Sequence, residues 1–313
     1  MNKGEKPKRE YRKKPRPTKL KDASKWIAQC DERLSAQLSL ITEDICRDGD
    51  TKILRLIGPT CSGKTTAAKL LKEKFLNRGK YLHLVSIDDF YYDTEKLREM
   101  SLKNGRERID YDSPETIDVE ALGSFVAEIF SGDRSHCPVF DFNIGKRSGY
   151  KEFKCGKEDV FLFEGIQALY PSVSKIFEAT GHPSADIYIA PQSSIEIGGN
   201  TFEPNEIRLM RRIVRDRNFR RTEADFTFHL WHSVRENEEK NIFPYVGECK
   251  YSIDSTMPYE IGILKPFLKS ALDALAPDSE YRADADNILK KTERVLPLPH
   301  SLIPEGSLYR EFV

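Results

Sequence analysis

Residues Gly58-Pro59-Thr60-Cys61-Ser62-Gly63-Lys64-Thr65-Thr66 follow the pattern G-x-x-x-x-G-K-[ST] in full. Such a loop binds phosphate because its glycines let successive backbone N–H groups turn inward around anionic oxygens. Lys64 can then reach the β- and γ-phosphates, and the Thr65 hydroxyl can ligate Mg²⁺. The ligand implied is a nucleoside triphosphate with magnesium. Residues 51–57 are an apolar run of strand length, and residues 67–76 have helical character. Strand, loop and helix in that order set the positive end of a helix dipole beneath the phosphates.

Further groups suited to phosphate chemistry lie after the next apolar runs. One run ends in Ser86-Ile87-Asp88-Asp89-Phe90-Tyr91, another in Phe161-Leu162-Phe163-Glu164-Gly165-Ile166. In an open α/β sheet, ligands bind beyond the carboxyl ends of strands. A carboxylate there can hold the metal or one of its waters, or take the proton of an attacking hydroxyl. Capping a helix is the ordinary alternative. Arg208, Arg211, Arg212, Arg215, Arg217, Arg220 and Arg221 crowd a predicted helix and its exit. Arg208, Arg211 and Arg215 share one face, which repels itself unless anions lie opposite. Arginines of a closing lid neutralise the charge that develops on a transferred phosphoryl group. A solvated face paired with Glu206 and Asp216 is the plainer reading.

The elements that must position these groups follow from periodicity. Strand-like runs at 81–87, 159–163 and 186–190 alternate with helical patterns at 117–130 and 206–217. That alternation predicts an α/β fold, with a mostly parallel central sheet covered by helices on both faces. Residues 138–155 alternate in polarity and contain Asn143, Gly145 and Gly149, predicting a small β-hairpin insertion over the mouth of the site. Residues 22–47 carry Trp26, Ile27, Leu34, Leu38, Ile41 and Ile45 on one stripe, which predicts an amphipathic helix ending near Gly49.

The chain of 313 residues has 50 basic and 50 acidic side chains, yet residues 1–21 hold ten Lys or Arg against Glu5 and Glu10. A basic arm of net +8 is thus joined to an acidic body of net −8. With almost no apolar residues the arm is expected to be disordered, and nucleic acid is a partner it could touch. No run of 18 apolar residues and no apolar leader core is present, so a cytoplasmic location and no membrane association are expected. The six cysteines are scattered without metal-ligand spacing, and free thiols are expected. Cys61 is singled out because a thiol near a helix N-terminus can be acidic.

Read together, the loop, the Asp88 turn, Tyr111-Asp112-Ser113-Pro114-Glu115-Thr116-Ile117-Asp118, the Glu164 strand end and Arg208-Leu209-Met210-Arg211-Arg212-Ile213-Val214-Arg215-Asp216 resemble, in order, the uridine kinase and phosphoribulokinase family. The resemblance covers roughly residues 50–270 and is similar in its ending to a divergent bacterial-type branch. It implies the three-layer P-loop fold with a helical lid, and ATP- and Mg²⁺-dependent phosphorylation of a small-molecule hydroxyl, the 5′-hydroxyl of a nucleoside in the uridine kinases. By position it makes Asp88 the general base, with Lys64, Arg211 and Arg215 as the other catalytic groups. Gly58 to Thr66 hold the nucleotide, Thr65 and Glu164 serve Mg²⁺, and Tyr91, Tyr111, Asp112, Arg147 and Arg208 face the substrate. The corresponding organisation is a basic arm at 1–21, a helix at 22–49, a P-loop domain at 50–275 with its lid at about 206–240, and a C-terminal helix and irregular arm at 276–313. Two departures stand out. Gly145 takes the place of a His that contacts the base in uridine kinases, and Arg221 replaces a Gly in the lid turn. A sugar phosphate, pantothenate or glycerate stays open as acceptor, as do an ATP-driven switch that uses the arm on nucleic acid and a homo-oligomer.

Overall fold

A computed structural model describes residues 20–105, 109, 113–132, 134–154, 156 and 158–313. The expected substrate-facing residues Tyr111 and Asp112, and nearly all of the basic arm, lie outside the described residues. The chain opens with helix α1 (Leu20–Asp48), whose buried residues Ala23, Ile27, Cys30, Leu34, Leu38, Ile41 and Ile45 recur every three or four positions. That spacing keeps one stripe on the core for the length of the helix. Then come β1 (Ile53–Ile57), α2 (Lys64–Leu76), β2 (Leu82–Ser86) and α3 (Thr94–Lys103). Helix α4 (Val119–Ser131) starts where the Asp118 side chain accepts a hydrogen bond from the Ala121 amide at 3.0 Å, and stops at Gly132 with φ 86°. An acceptor at the start and a left-handed glycine at the end satisfy backbone groups that the helix itself cannot.

The hairpin strands β3 (Arg134–Asp141) and β4 (Lys146–Lys154) pair antiparallel and form a sheet of their own. They are followed by β5 (Val160–Glu164), α5 (Pro171–Ala179), β6 (Ser184–Ala190) and a second small hairpin of β7 (Ile195–Ile197) and β8 (Asn200–Phe202). Helix α6 (Pro204–Arg220) begins with a capping box between Glu203 and Glu206. The remaining elements are α7 (Ala224–Asn241), α8 (Phe243–Val246), β9 (Tyr251–Asp254), α9 (Glu260–Asp273) and α10 (Arg282–Thr292), after which residues 293–313 run back over the body with two short 3₁₀ turns.

The central sheet has five parallel strands in the order β2-β5-β1-β6-β9. Side chains alternate across it. Leu54 and Leu56 of β1 join the core under α1, α2, α6 and α9, whereas Ile53 and Ile57 join the core under α4 and α5. Both faces are therefore dry, as a parallel sheet requires. Arg55 points into the second layer and is neutralised by Asp186 on the adjacent strand, with Ser174 at 2.8 Å.

The short edge strand β9 and the small β7–β8 hairpin were not expected from the sequence. Tyr251-Ser-Ile-Asp is too brief and too polar to stand out alone, and it becomes a strand only because β6 offers an unpaired edge. Helix α1 closes the other side of that edge: Gln37 accepts from the Asp254 amide at 3.1 Å and donates to the Asp254 carbonyl at 3.3 Å. Arg33 donates to the Thr256 carbonyl, and Lys74 of α2 donates to Ser35 and Ser39 of α1. No disulfide joins the described cysteines, and no helix among the described residues is long and apolar enough to cross a membrane.

The core role of α1 is open to direct measurement. Leu38 is 0% exposed in the core that lies over the sheet, so Leu38→Ala should cost about 2–5 kcal/mol in chemical denaturation. A loss under about 1 kcal/mol would mean that α1 is only loosely attached.

Candidate active site

The loop between β1 and α2 sits at the carboxyl end of the middle strand. Its glycines are there for space. A Cβ on Gly58 would lie 2.2 Å from the Ile189 carbonyl oxygen and 2.6 Å from Ser62 Oγ. Gly63, with φ 92°, is the N-cap of α2 and makes no side-chain cap, so it leaves the amides at the start of α2 to acceptors from outside the helix. Cys61 holds a left-handed backbone (φ 58°) that a non-glycine residue adopts at some cost. Ser62 Oγ is buried with no partner. Lys64 Nζ curls back to the Gly58 carbonyl (2.8 Å) and the Pro59 carbonyl (3.2 Å), and Thr65 is exposed at the helix start. A tight cradle, an orphaned hydroxyl and a lysine parked on carbonyls together fit a polyphosphate.

The α6 arginines are placed differently from a solvated face. Arg208 and Arg211 are 1% and 0% exposed. Arg208 donates to Glu238 of α7 and, through Nε, to the Thr60 carbonyl at 3.1 Å. Arg211 makes a two-pronged pair with Glu260 (2.6 and 3.0 Å) and donates to the Cys61 carbonyl at 3.1 Å. The anions opposite the stripe are the protein's own carboxylates. The two guanidinium groups thereby hold two successive loop carbonyls. Arg215 is paired with Asp216 at 2.7 Å and reaches Thr60 Oγ1 at 3.5 Å, while Arg220 is mostly exposed at the end of the helix. Arg221 adopts φ 53° as the C-cap of α6, so the turn has a left-handed geometry that favours glycine.

Strand register gathers the carboxylates. Glu164 lies opposite Leu56 of β1 on one side and Ser86 of β2 on the other, two residues before Asp88. Asp88 Oδ1 accepts from Gln167 Nε2 at 2.7 Å, and the same amide donates to Tyr91 Oη at 2.9 Å. Asp89 instead accepts from the Phe140 amide of β3 at 3.0 Å, which ties the turn to the hairpin and leaves Asp88 facing the loop. Burial pushes the Asp88 carboxyl up, opposed by the Gln167 hydrogen bond and by the charges of Lys64 and Arg220. Burial also pushes Glu164 up to about 7, opposed by Lys64 and reinforced by Asp88, Glu311 and Asp89. No group of three or more His, Cys, Asp or Glu side chains among the described residues is assembled around a metal position. A magnesium ion bound through one carboxylate, a hydroxyl and substrate phosphates needs no such cage.

On the far side of Asp88, Tyr91 is buried and stands edge-on to Phe140 and to Phe142, which is 60% exposed. Arg147 of β4 donates to Asp118 at 2.8 Å, and its Nε is buried without a partner. Gly145 has φ 66°, and a Cβ there would lie 2.1 Å from Thr94 Oγ1. The glycine is thus built into the hairpin turn, whose carbonyl also accepts from the Thr94 amide at 2.8 Å. In the sequence Arg220 stands out only as one of the clustered arginines, and Gln167, Glu238, Glu260 and Glu311 are given no role there. Gln167, a polar residue just past a strand end, carried some signal; the acids lie far along the chain and carried none.

Comparison with known proteins adds the relationship. Residues 53–258 match the Phosphoribulokinase / Uridine kinase family. The uridine kinase of Clostridium novyi is 26% identical over 253 residues, covering 78% of this chain and 96% of that protein. The uridine kinase of Brevibacillus brevis is 27% identical over 170 residues, covering 54% of this chain and 67% of that protein. The uridine kinase of Schizosaccharomyces pombe is 31% identical over 119 residues, which are 38% of this chain and only 25% of that longer protein. A match running from the first residue of β1 to beyond β9 takes in the loop, both carboxylate-bearing strand ends and the arginine helix, and the chain belongs to the phosphoribulokinase/uridine kinase family of ATP-dependent small-molecule kinases.

Proposed function

We propose that the protein transfers the γ-phosphoryl group of ATP, with Mg²⁺, to a hydroxyl of a small molecule, and that the acceptor is the 5′-hydroxyl of a nucleoside. The observation that carries this reading is the placement of Asp88, oriented by Gln167 and facing the loop that carries Lys64. A carboxylate held by one hydrogen bond, with its pKa raised by burial, suits a general base. Asp88 takes the proton as the hydroxyl oxygen bonds to phosphorus and the bond to the departing diphosphate breaks. Thr65 and Glu164 would hold a magnesium ion, which would supply charge neutralisation at the phosphates. Lys64 leaves its parking carbonyls to do the same from the loop. Arg215, beside Thr60, and Arg220, near enough to act on Asp88, supply positive charge from the helix end. Arg208 and Arg211 position the loop from behind, because releasing either would strand a buried carboxylate.

Tyr91 and Arg147 face the acceptor side, with Tyr111 and Asp112 assigned there by family position. The nucleoside would be read without a side chain at position 145, where Thr94 leaves no room. One observation favours a second acceptor class. The unpartnered Nε of Arg147 is a donor suited to an anionic small molecule such as a sugar phosphate, pantothenate or glycerate.

Incubation with Mg·ATP and a panel of nucleosides, pantothenate, glycerate and sugar phosphates, read by product mass, tests the assignment. Phosphorylated nucleoside is expected, a product from an acid alone would move the assignment to the anionic class, and bare hydrolysis would refute both. Asp88→Asn should lower kcat by on the order of 10² to 10⁴ with nucleotide binding retained, and near-normal turnover would remove Asp88 from its role.

Glu164 generates a prediction about stability. Its carboxyl titrates near 7 in the fold against an ordinary 4.5. Between these values the unfolded chain has lost the proton that the folded chain keeps, so stability falls as pH rises from about 4.5 to about 7. Allowing for partial exposure, the loss is roughly 2–3 kcal/mol. Nucleotide-free Glu164→Gln should therefore be more stable than the parent at pH 8 and equal to it near pH 4. Parallel urea midpoints across that range would show that Glu164 is not held in a charge-hostile position.

A further inference from the structure

The C-terminal arm reaches the phosphate loop. Its last turn places Leu308, Tyr309 and Phe312 in the core at 1%, 0% and 0% exposure. Leu308 packs so closely on the loop that a Cβ on Gly63 would lie 2.4 Å from its Cδ1. Tyr309 Oη donates to Glu260 at 3.4 Å, the carboxylate that holds Arg211, and Ser307 Oγ donates to Asp31 of α1 at 2.9 Å. Asn218 of α6 donates to the Phe312 carbonyl at 3.4 Å. Between these anchors the Glu311 side chain is only partly buried, and its Oε2 accepts from the Thr66 hydroxyl at 3.1 Å and the Thr66 amide at 3.4 Å.

Thr66 is a particular amide. The Ala67 amide already donates to the Gly63 carbonyl at 3.0 Å, so Thr66 carries the last amide before the helix begins to bond to itself. Free amides at this end of α2 are those that a phosphate-binding loop offers to its ligand. We propose that Glu311 occupies the phosphate subsite at Thr66 in the nucleotide-free protein, as a built-in carboxylate competitor for the α-phosphate, and that it sets nucleotide affinity by having to swing aside. The proposal rests on the reading of the loop as the ATP site. Two anions cannot share one amide and one hydroxyl, so the carboxylate must leave as the nucleotide enters. The arm itself stays, because lifting it would expose three large side chains that are now fully buried, whereas rotating Glu311 exposes none. Glu311 also adds to the repulsion that raises the Glu164 carboxyl, so its charge is felt across the site. While it stays there, the carboxylate keeps the Thr66 donors satisfied.

The test is calorimetric titration of the full-length protein with ADP for the parent, Glu311→Ala and Glu311→Gln, beside amide hydrogen exchange over residues 307–312. Removing one charged hydrogen-bond competitor should tighten ADP binding about tenfold in E311A, with E311Q between it and the parent because it keeps the acceptor oxygen and loses the charge. Exchange at 307–312 should stay slow when ADP is bound. Equal affinities, or weaker binding by E311A, would overturn the proposal while leaving the ATP site intact. Rapid exchange of the arm on ADP binding would overturn it in favour of release of the whole segment. Failure of all three proteins to bind ADP would instead refute the nucleotide site itself, and the proposal with it.

Discussion

The structure depends on two buried guanidinium groups that hold a phosphate loop by its carbonyls. Arg208 and Arg211 accept the burden of burial because Glu238 and Glu260 neutralise them, and each spends a remaining donor on a loop carbonyl. A loop rich in free amides has no secondary structure to keep it in shape. Here the orientation comes from charge fixed in the core, so the N–H groups need little reorganisation to meet an anion. Desolvated ion pairs are poor sources of net stability, and breaking one by removing a single partner is costly. Their value here is geometric: α6, α7 and α9 are locked to one loop conformation.

Sheet register supplies the second constraint. Because β5 lies between β1 and β2, Glu164 falls between the loop and the Asp88 turn, and its carboxyl feels the opposed charges of Lys64 and Asp88. Crowding carboxylates in a half-buried cleft works against stability until cations arrive, which is the arrangement a site for a metal–polyphosphate complex requires. The β3–β4 hairpin then selects between adjacent aspartates. Its Phe140 amide binds Asp89, and Gln167 orients Asp88.

The acceptor side is shaped by backbone as much as by side chains. Gly145 closes the hairpin turn against Thr94, with a left-handed φ and a close approach that disfavour a side chain there. Arg221 shows the opposite case: a non-glycine residue holds the left-handed turn, a conformation that costs an arginine only about 1–2 kcal/mol. Backbone strain can be carried in place, whereas a Cβ 2.1 Å from Thr94 Oγ1 requires Thr94 to shift.

By itself the sequence determined the phosphate loop, the alternation of strands and helices, the amphipathic stripe of α1 and the two strand-end carboxylates. Each of these is a local pattern, set by spacing along the chain, so neighbouring residues suffice to reveal it. The tertiary structure alone decided which aspartate faces the loop, that the arginine stripe is buried against Glu238 and Glu260, that Tyr251–Asp254 is a strand, and that Glu311 reaches Thr66. These facts depend on contacts between residues as far as 245 positions apart. Charge complementarity and an open sheet edge act only after the chain has folded, and no local spacing records them.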